Sequence, residues 1–276
     1  MSDNPQNENR IAKAHRTLGI HPKVSRKAEV ILNMLVERRK AIRKGEYDEK
    51  ATTLEDFMLY AMPKVEFAQG QLFQDLWVLW ELGEKQGEGY FVEFGATNGI
   101  TMSNSHLLDK QYGWKGILAE PNPEYHERLA RERDCNITHK CVYSKTGETL
   151  KFLCAEKGLM SRLEHINPDD HNEQSGRREV KNTIDVNTIS LNDLLDEFNA
   201  PDVIDYMSVD TEGSEYEILS NFDFSKRHVR TFTVEHNFTK LREQIFDLMS
   251  ANGYVRRFPE YTRFDDWFIH SDDFRG

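Results

Sequence analysis

The chain has 276 residues, 38% of them hydrophobic and 30% charged, which is enough apolar side chain to bury a core and argues against disorder throughout. Lys and Arg number 36 against 47 Asp and Glu, a net charge of -11, the wrong sign for a protein that grips a phosphate backbone, so no nucleic-acid partner is expected. No apolar run approaches the roughly 20 residues of a membrane helix, the opening MSDNPQNENR lacks a signal-peptide core, and Cys135, Cys141 and Cys154 show no C-x-x-C spacing, which suits idle thiols in a reducing cytoplasm.

The N-terminal part is charged differently from the rest. Between Arg10 and Lys50 there are 12 Lys/Arg and 5 Asp/Glu, a basic leader on an acidic chain. Ala28, Ile31, Leu32, Leu35 and Ile42 fall near helical spacing, with Ser25 placed to cap the helix and Gly45 to stop it. A second short helix is expected after Thr52, with Glu55 completing a capping box and Pro63 setting the end. Residues 1–66 are therefore expected to form a basic helical extension, a packing arm suited to homo-oligomer contacts. A sharper reading is a basic surface that attracts an anionic sugar or lipid carrier.

From residue 67 to 276 the pattern alternates strand and helix. Leu72, Phe73, Leu76, Trp77, Leu79 and Trp80 predict an apolar helix ended by Gly83. Residues 90–94 (YFVEF) read as the first strand and 116–120 as the second, followed by a helix with Asn122 as cap and Pro123 as its first residue. Residues 137–143 are expected as one third strand, and 150–154 as a fourth extended segment. Strands at 203–209 and 229–234 follow, each leading into a helix, with Ser214 and Glu217 as a second capping box and Gly253 as a helix stop. Residues 254–258 and 267–269 read as a terminal hairpin. Such alternation predicts an α/β fold built on a doubly wound sheet, with ligands at the carboxyl ends of the strands.

Four constellations sit at those expected strand ends. Glu93-Phe94-Gly95-Ala96-Thr97-Asn98-Gly99 is a glycine turn without the G-x-G-x-x-G spacing of dinucleotide sites. Its acid suits a cationic ligand end, such as the ammonium of S-adenosylmethionine, and Gly95 and Gly99 leave room for a ligand. Glu120, after the second strand, is placed to accept hydrogen bonds from ribose hydroxyls. Val209-Asp210-Thr211-Glu212-Gly213 brings two acids to a strand end, and Val234-Glu235-His236-Asn237 brings an acid and an imidazole matched to proton removal near neutral pH.

Taken together, these segments, with Ala119-Glu120-Pro121-Asn122-Pro123 and Leu191-Asn192-Asp193-Leu194-Leu195, resemble the FkbM family of S-adenosylmethionine-dependent methyltransferases over roughly three-quarters of the chain. The resemblance implies a class I (Rossmann-like) methyltransferase sheet with its last strand antiparallel, acting on a hydroxyl of a sugar, glycan or secondary metabolite. It implies that Glu93, Gly95, Ala96, Thr97, Asn98, Gly99, Glu120, Pro121 and Ser144 contact S-adenosylmethionine. His236 is expected as general base, with Asp210, Glu212 and Glu235 around it. The competing arrangement is a divalent metal held by these acids and His236. Thr97 stands where the family often has Asn, and Cys141-Val142-Tyr143-Ser144 replaces a run of smaller residues. Two other readings are a nicotinamide-dependent oxidoreductase, disfavoured by the missing glycine fingerprint, and a non-catalytic S-adenosylmethionine-binding member. The polar stretch 158–181 is a candidate lid over the acceptor.

Overall fold

The computed structural model describes residues 43–44, 53–156, 158–166 and 179–274. The chain divides after Met62 into two units. In the first, Arg43 and Lys44 are helical, and the rest of the expected leader helix lies outside the described residues. Helix α1 (Leu54–Ala61) is capped one residue later than expected. Thr53 Oγ1 accepts from Asp56 N at 3.3 Å and Asp56 Oδ2 accepts from Thr53 N at 3.0 Å. This register places Leu54, Phe57, Met58 and Ala61 on one buried face, an apolar period that a cap at Thr52 with Glu55 would not serve.

The second unit is built on a seven-stranded sheet. Its strands are β1 (Tyr90–Phe94), β2 (Lys115–Ala119), β3 (Asn136–Thr138), β8 (Val203–Val209), β9 (His228–Glu235), β10 (Tyr254–Arg257) and β11 (Asp265–His270), in the order β10-β11-β9-β8-β1-β2-β3. Neighbours from β3 to β9 run parallel, whereas β11 is antiparallel to both β9 and β10, so the last strand is reversed as expected. The central strands are buried on both faces, which is why they read as near-continuous apolar runs. The core joins Val92, Phe94, Ile117, Met207, Phe232 and Val234 to helix residues such as Leu194, Ile218 and Ile245.

The helices of the second unit carry the expected caps with one exception. Helix α2 (Gln74–Leu82) ends at Gly83, and α3 (His106–Lys110) follows β1. Helix α4 (Pro123–Glu132) opens on Asn122, whose Oδ1 accepts from Glu124 N at 3.1 Å, a cap worth about 1 kcal/mol. Helices α5 (Leu191–Glu197), α6 (Glu215–Ser220) and α7 (Leu241–Ala251) follow the strand at 180–190, β8 and β9. The exception is Ser214, which makes no side-chain cap to α6. Instead the Glu215 carboxylate accepts from Thr211 N at 2.9 Å and Gly213 N at 3.0 Å, because the chain reverses at Glu212 (φ 59°) and turns those amides toward it.

A second sheet, absent from the sequence reading, holds β4 (Cys141–Tyr143), β5 (Thr149–Ala155), β6 (Arg162–Leu163) and β7 (Val180–Ser190) in the order β4-β7-β5-β6. The single strand expected at 137–143 is thus two strands in two sheets. Lys140 N donates to Thr138 Oγ1 at 3.2 Å, turning the chain between them. Strand β7 has Asn182, Thr183, Asp185 and Asn187 among its residues and is exposed over much of its length, so its apolar signal is weak.

Candidate active site

The carboxyl ends of β1, β2, β8 and β9 border a cavity of about 270 Å³. Cys141, Val142, Phe152 and Leu163 of the second sheet, with the 3-10 turn Gly158–Met160, line it too. Its described lining contains four carboxyl side chains, Glu120, Asp210, Glu212 and Glu235, and no Lys, Arg or His. Thr97, Met102, Glu212 and Asn237 all line it and all have positive φ (44°, 61°, 59° and 44°), strain of the kind that functional turns retain.

At the β1–β2 end the polar groups are paired. Glu93 does not line the cavity. Its carboxylate accepts from Ser103 Oγ (2.9 Å), Asn104 N (2.7 Å) and Ser105 Oγ (2.5 Å), and the fully buried Arg133 guanidinium lies 4.0 Å away. Arg133 also donates to Asp109 (2.6 Å), Gly99 O (3.1 Å) and Ser103 Oγ (3.1 Å). The network pins the segment that presents Thr101, Met102 and Ser103 to the cavity. Glu93, expected to meet a ligand ammonium, here spends its carboxylate on holding the loop.

Gly95 does line the cavity, yet its need for glycine comes from the protein. At φ 69° an added Cβ would lie 2.4 Å from the Asp210 carbonyl oxygen, so β1 and β8 close upon each other only with glycine here. Gly99 has a similar cause, since a Cβ there would meet Leu129 and Arg133 at 2.7 and 2.8 Å, and neither it nor Ala96 lines the cavity. Asn98 Oδ1 is used up by the amides of Ile100 (3.0 Å) and Thr101 (2.9 Å), and Ser144 also lies outside the lining. Thr97, Glu120 and Pro121 face the cavity.

Glu120 is 4% exposed and accepts from Thr97 N at 2.8 Å and Asn122 N at 2.7 Å, one bond on each oxygen. Burial pushes its carboxyl up to about 7 against the pull of these two amides. An ionised carboxylate has about four acceptor sites, so each oxygen of Glu120 retains capacity for a hydroxyl donor from the cavity.

The β8–β9 end is the opposite. Asp210, Glu212 and Glu235 bring carboxylate oxygens within 4.8 Å of one another. Desolvation first, then the charges of Asp265 and Glu215, push Asp210 up to about 8, and it shares a hydrogen bond with Glu235. Glu235 is raised well above the carboxylate range by burial and by Asp210, and its Oε2 has no hydrogen-bond partner among the described residues. Glu212 accepts from Asn237 Nδ2 at 3.3 Å.

His236 is not among them. Residues of a strand end alternate in direction, so Glu235 faces the cavity and His236 does not line it. His236 Nδ1 accepts from Phe238 N at 3.0 Å, which leaves the proton on Nε2, 3.8 Å from Asp266 Oδ1. Burial pushes its imidazole down to about 4. With one nitrogen occupied by an amide and the other carrying hydrogen, the ring has no lone pair to offer an acceptor hydroxyl. His236, expected as base or as a metal ligand beside the acids, thus points away from the cavity in this structure.

Sequence reasoning missed Glu215 and Asp265, both buried carboxyls raised by desolvation and adjoining the cluster. Asp265 pairs across the sheet with Glu235 and accepts from Gln74 Nε2 at 2.6 Å. It also missed Gln71, Phe152 and Phe264 in the lining, whereas Gly158, Met160, Ser161 and Leu163 of the lining belong to the stretch 158–181 read as a candidate lid.

A seven-stranded sheet of this order with a reversed strand, bearing an acid after its second strand beside a carboxyl-end cavity, defines a class I S-adenosylmethionine-dependent methyltransferase. Residues 93–264 match the methyltransferase FkbM domain, and the chain belongs to that family of methyltransferases using S-adenosylmethionine. No curated protein sequence matches the chain. Among similar solved structures is precorrin-6y C5,15-methyltransferase from Geobacter metallireducens, 13% identical over 75% of this chain and 93% of that one, TM-score 0.37. Another is the Methanococcus jannaschii fibrillarin pre-rRNA processing protein, 14% identical over 67% of this chain and 68% of that one, TM-score 0.31. No helix among the described residues is long and apolar enough to cross a membrane.

Proposed function

We propose that the chain methylates a hydroxyl of a sugar, glycan or secondary metabolite, with the donor held at the β1–β2 end of the cavity and the acceptor at the β8–β9 end. The observation that carries this reading is the charge of the lining: four carboxyls and, among the described residues, no cationic side chain. Such a wall favours a ligand with cationic groups and disfavours a phosphorylated acceptor. Bound there, S-adenosylmethionine supplies a methyl group already activated on a sulfonium.

The protein's own part is then position and proton removal. Glu120 accepts from the ribose hydroxyls while the Thr97 and Asn122 amides hold it in place. Pro121, Thr97 and the strained Met102 shape the surrounding wall. Phe152, Leu163 and Phe264 limit water at the reacting centre. The hydroxyl proton passes to the acidic cluster of Asp210, Glu212 and Glu235, since His236 is turned away.

In the same reading residues 1–66 are an extension suited to self-association, free Cys135, Cys141 and Cys154 accord with a cytoplasmic setting, and the net charge of -11 accords with no nucleic-acid partner. The test is methyl transfer from labelled S-adenosylmethionine to a panel of neutral glycans, nucleotide sugars and phenolic metabolites. Transfer to a neutral hydroxyl compound supports the reading. Transfer only to nitrogen or carbon acceptors removes it.

A further inference from the structure

We propose that His228, His270 and Asp273 form a binding site for one imidazole-seeking divalent cation, Zn²⁺ foremost, that clips the turn after β11 to the start of β9. The site stands apart from the cavity and does not depend on the O-methylation reading. His228 is the first residue of β9 and Glu235 its last, so the two sit at opposite ends of the strand, roughly 23 Å apart at about 3.3 Å per residue.

The sheet brings the two imidazoles together. Alternate residues of a strand share a face, so His228, Arg230 and Phe232 lie on one side of β9. Phe268 pairs with Phe232 across the antiparallel β9–β11 ladder, which puts Phe268 and His270 on that same side. The rings of His228 and His270 stand edge to face with centroids 4.6 Å apart. In the turn after β11, Asp273 N donates to His270 O at 3.0 Å, and the Asp273 carboxylate returns toward the two rings. His228 Nε2 lies 2.6 Å from Asp273 Oδ2, and one ligand atom from each of the three residues falls within 4.8 Å of the others.

Two imidazoles and a carboxylate are a donor set that zinc takes up with water in the fourth position, and imidazole favours zinc, nickel and copper over Mg²⁺. Zinc holds such ligands at about 2.0–2.1 Å in a tetrahedron, which spaces neighbouring donors by roughly 3.3 Å. His228 Nε2 and Asp273 Oδ2 therefore part by about 0.7 Å as the ion takes the place of the proton they share. On His270, the Asp272 carboxylate lies 3.7 Å from Nδ1, placed to take a proton on that nitrogen while Nε2 faces the ion. The weak bond that Asp272 N gives Nδ1 at 3.3 Å is lost in exchange. Gly253 leaves Nε2 uncovered, where a Cβ would lie 3.1 Å away. Arg230 Nη1 is 3.5 Å from Asp273 Oδ1 and its Nε is 3.5 Å from Asp205, so its charge is divided between two acids and Asp273 Oδ2 is left to the site. All three ligands are half-buried, held by the sheet yet within reach of an ion from solvent.

The test uses full-length protein without a polyhistidine tag, freed of metal by a chelator. Calorimetry with Zn²⁺ should show one site per chain that His228→Asn and His270→Gln each weaken about tenfold or more, and that Glu235→Gln in the cavity leaves in place. S-adenosylhomocysteine affinity should be equal in the parent and both histidine variants, which shows that they are folded. Zn²⁺ should raise the melting temperature of the parent and not that of His228→Asn, because only the folded chain assembles the ligands. Zinc-edge X-ray absorption on the parent should show two imidazoles and oxygen, a reading that needs no variant to fold. Absence of Zn²⁺ binding at sub-millimolar concentration, unchanged affinity in both histidine variants, or a spectrum with sulfur or fewer than two imidazoles overturns the site. So does binding lost in Glu235→Gln and kept in the histidine variants, which would move the ion to the acids of the cavity.

Discussion

The two ends of the cavity treat their acids in opposite ways. At the β1–β2 end, Glu93 is balanced by Arg133 and three hydrogen-bond donors, and Glu120 by two backbone amides. At the β8–β9 end, Asp210, Glu212 and Glu235 crowd together, with Glu215 and Asp265 adding to the repulsion. The first end is braced by its own donors and acts as a scaffold. The second concentrates buried carboxyls in mutual repulsion, so it is where function holds stability back.

If the first end is a scaffold, breaking it should cost the most. Arg133→Ala leaves Glu93 and Asp109 buried without their guanidinium, and a loss of about 3–5 kcal/mol is expected by denaturant unfolding. A loss below about 1 kcal/mol would mean that this network is not what holds the cavity wall.

Glu120 comes next. Glu120→Gln should weaken S-adenosylhomocysteine binding by about ten- to a hundredfold, since charge-assisted hydrogen bonds contribute roughly 1.5–3 kcal/mol. Its pH dependence has a definite sign. The carboxyl titrates near about 7 in the folded protein against an ordinary value of 4.5. Ribose hydroxyls donate to the ionised form, so affinity should fall as pH drops below about 7, with protons released on binding above that of the buffer blank. Stability runs the other way: the free protein holds this proton more tightly than the unfolded chain, so its contribution is fully present below 4.5 and lost as pH rises through about 7. Glu120→Gln should flatten both trends.

The unbalanced end predicts a smaller effect of opposite direction. Glu235→Gln removes one of the crowded carboxyls, and the metal-free protein should gain about 0.5–2 kcal/mol while losing methyl transfer. Equal or lower stability in the variant would show that the acids are not in mutual conflict.

The smallest effect is expected at His236. Asn at this position retains an acceptor for the Phe238 amide, so His236→Asn should leave the rate far above the loss of about 10²–10⁴ that follows removal of a general base. A loss of that size would return His236 to the reaction.

Periodicity and caps made much of the sheet legible in advance. The apolar runs at 90–94, 203–209 and 228–235 announce strands buried on both faces, and Asn122-Pro123 announces the start of α4 in local chemistry alone. The acids at the strand ends could likewise be located, because a parallel sheet places its carboxyl edge on one side whatever the partners. Strand β7 escaped notice because a strand with one polar face and partial exposure gives little apolar signal, and without it the second sheet that carries Cys141, Val142, Phe152 and Leu163 to the cavity could not be assembled.

The sequence by itself determined which residues end the central strands, that these ends are acidic, and that a glycine must follow β1. Only the tertiary structure decided what each of them does. Glu93 and Glu235 look alike in sequence, each an acid at or near the end of an apolar strand. Arg133, 40 residues away in the chain, neutralises one, and no described basic residue reaches the other. The single-residue alternation of β9 then sends Glu235 into the cavity and His236 out of it. Charge balance and side-chain direction depend on which segments meet, and that is settled by long-range packing of strands far apart in sequence.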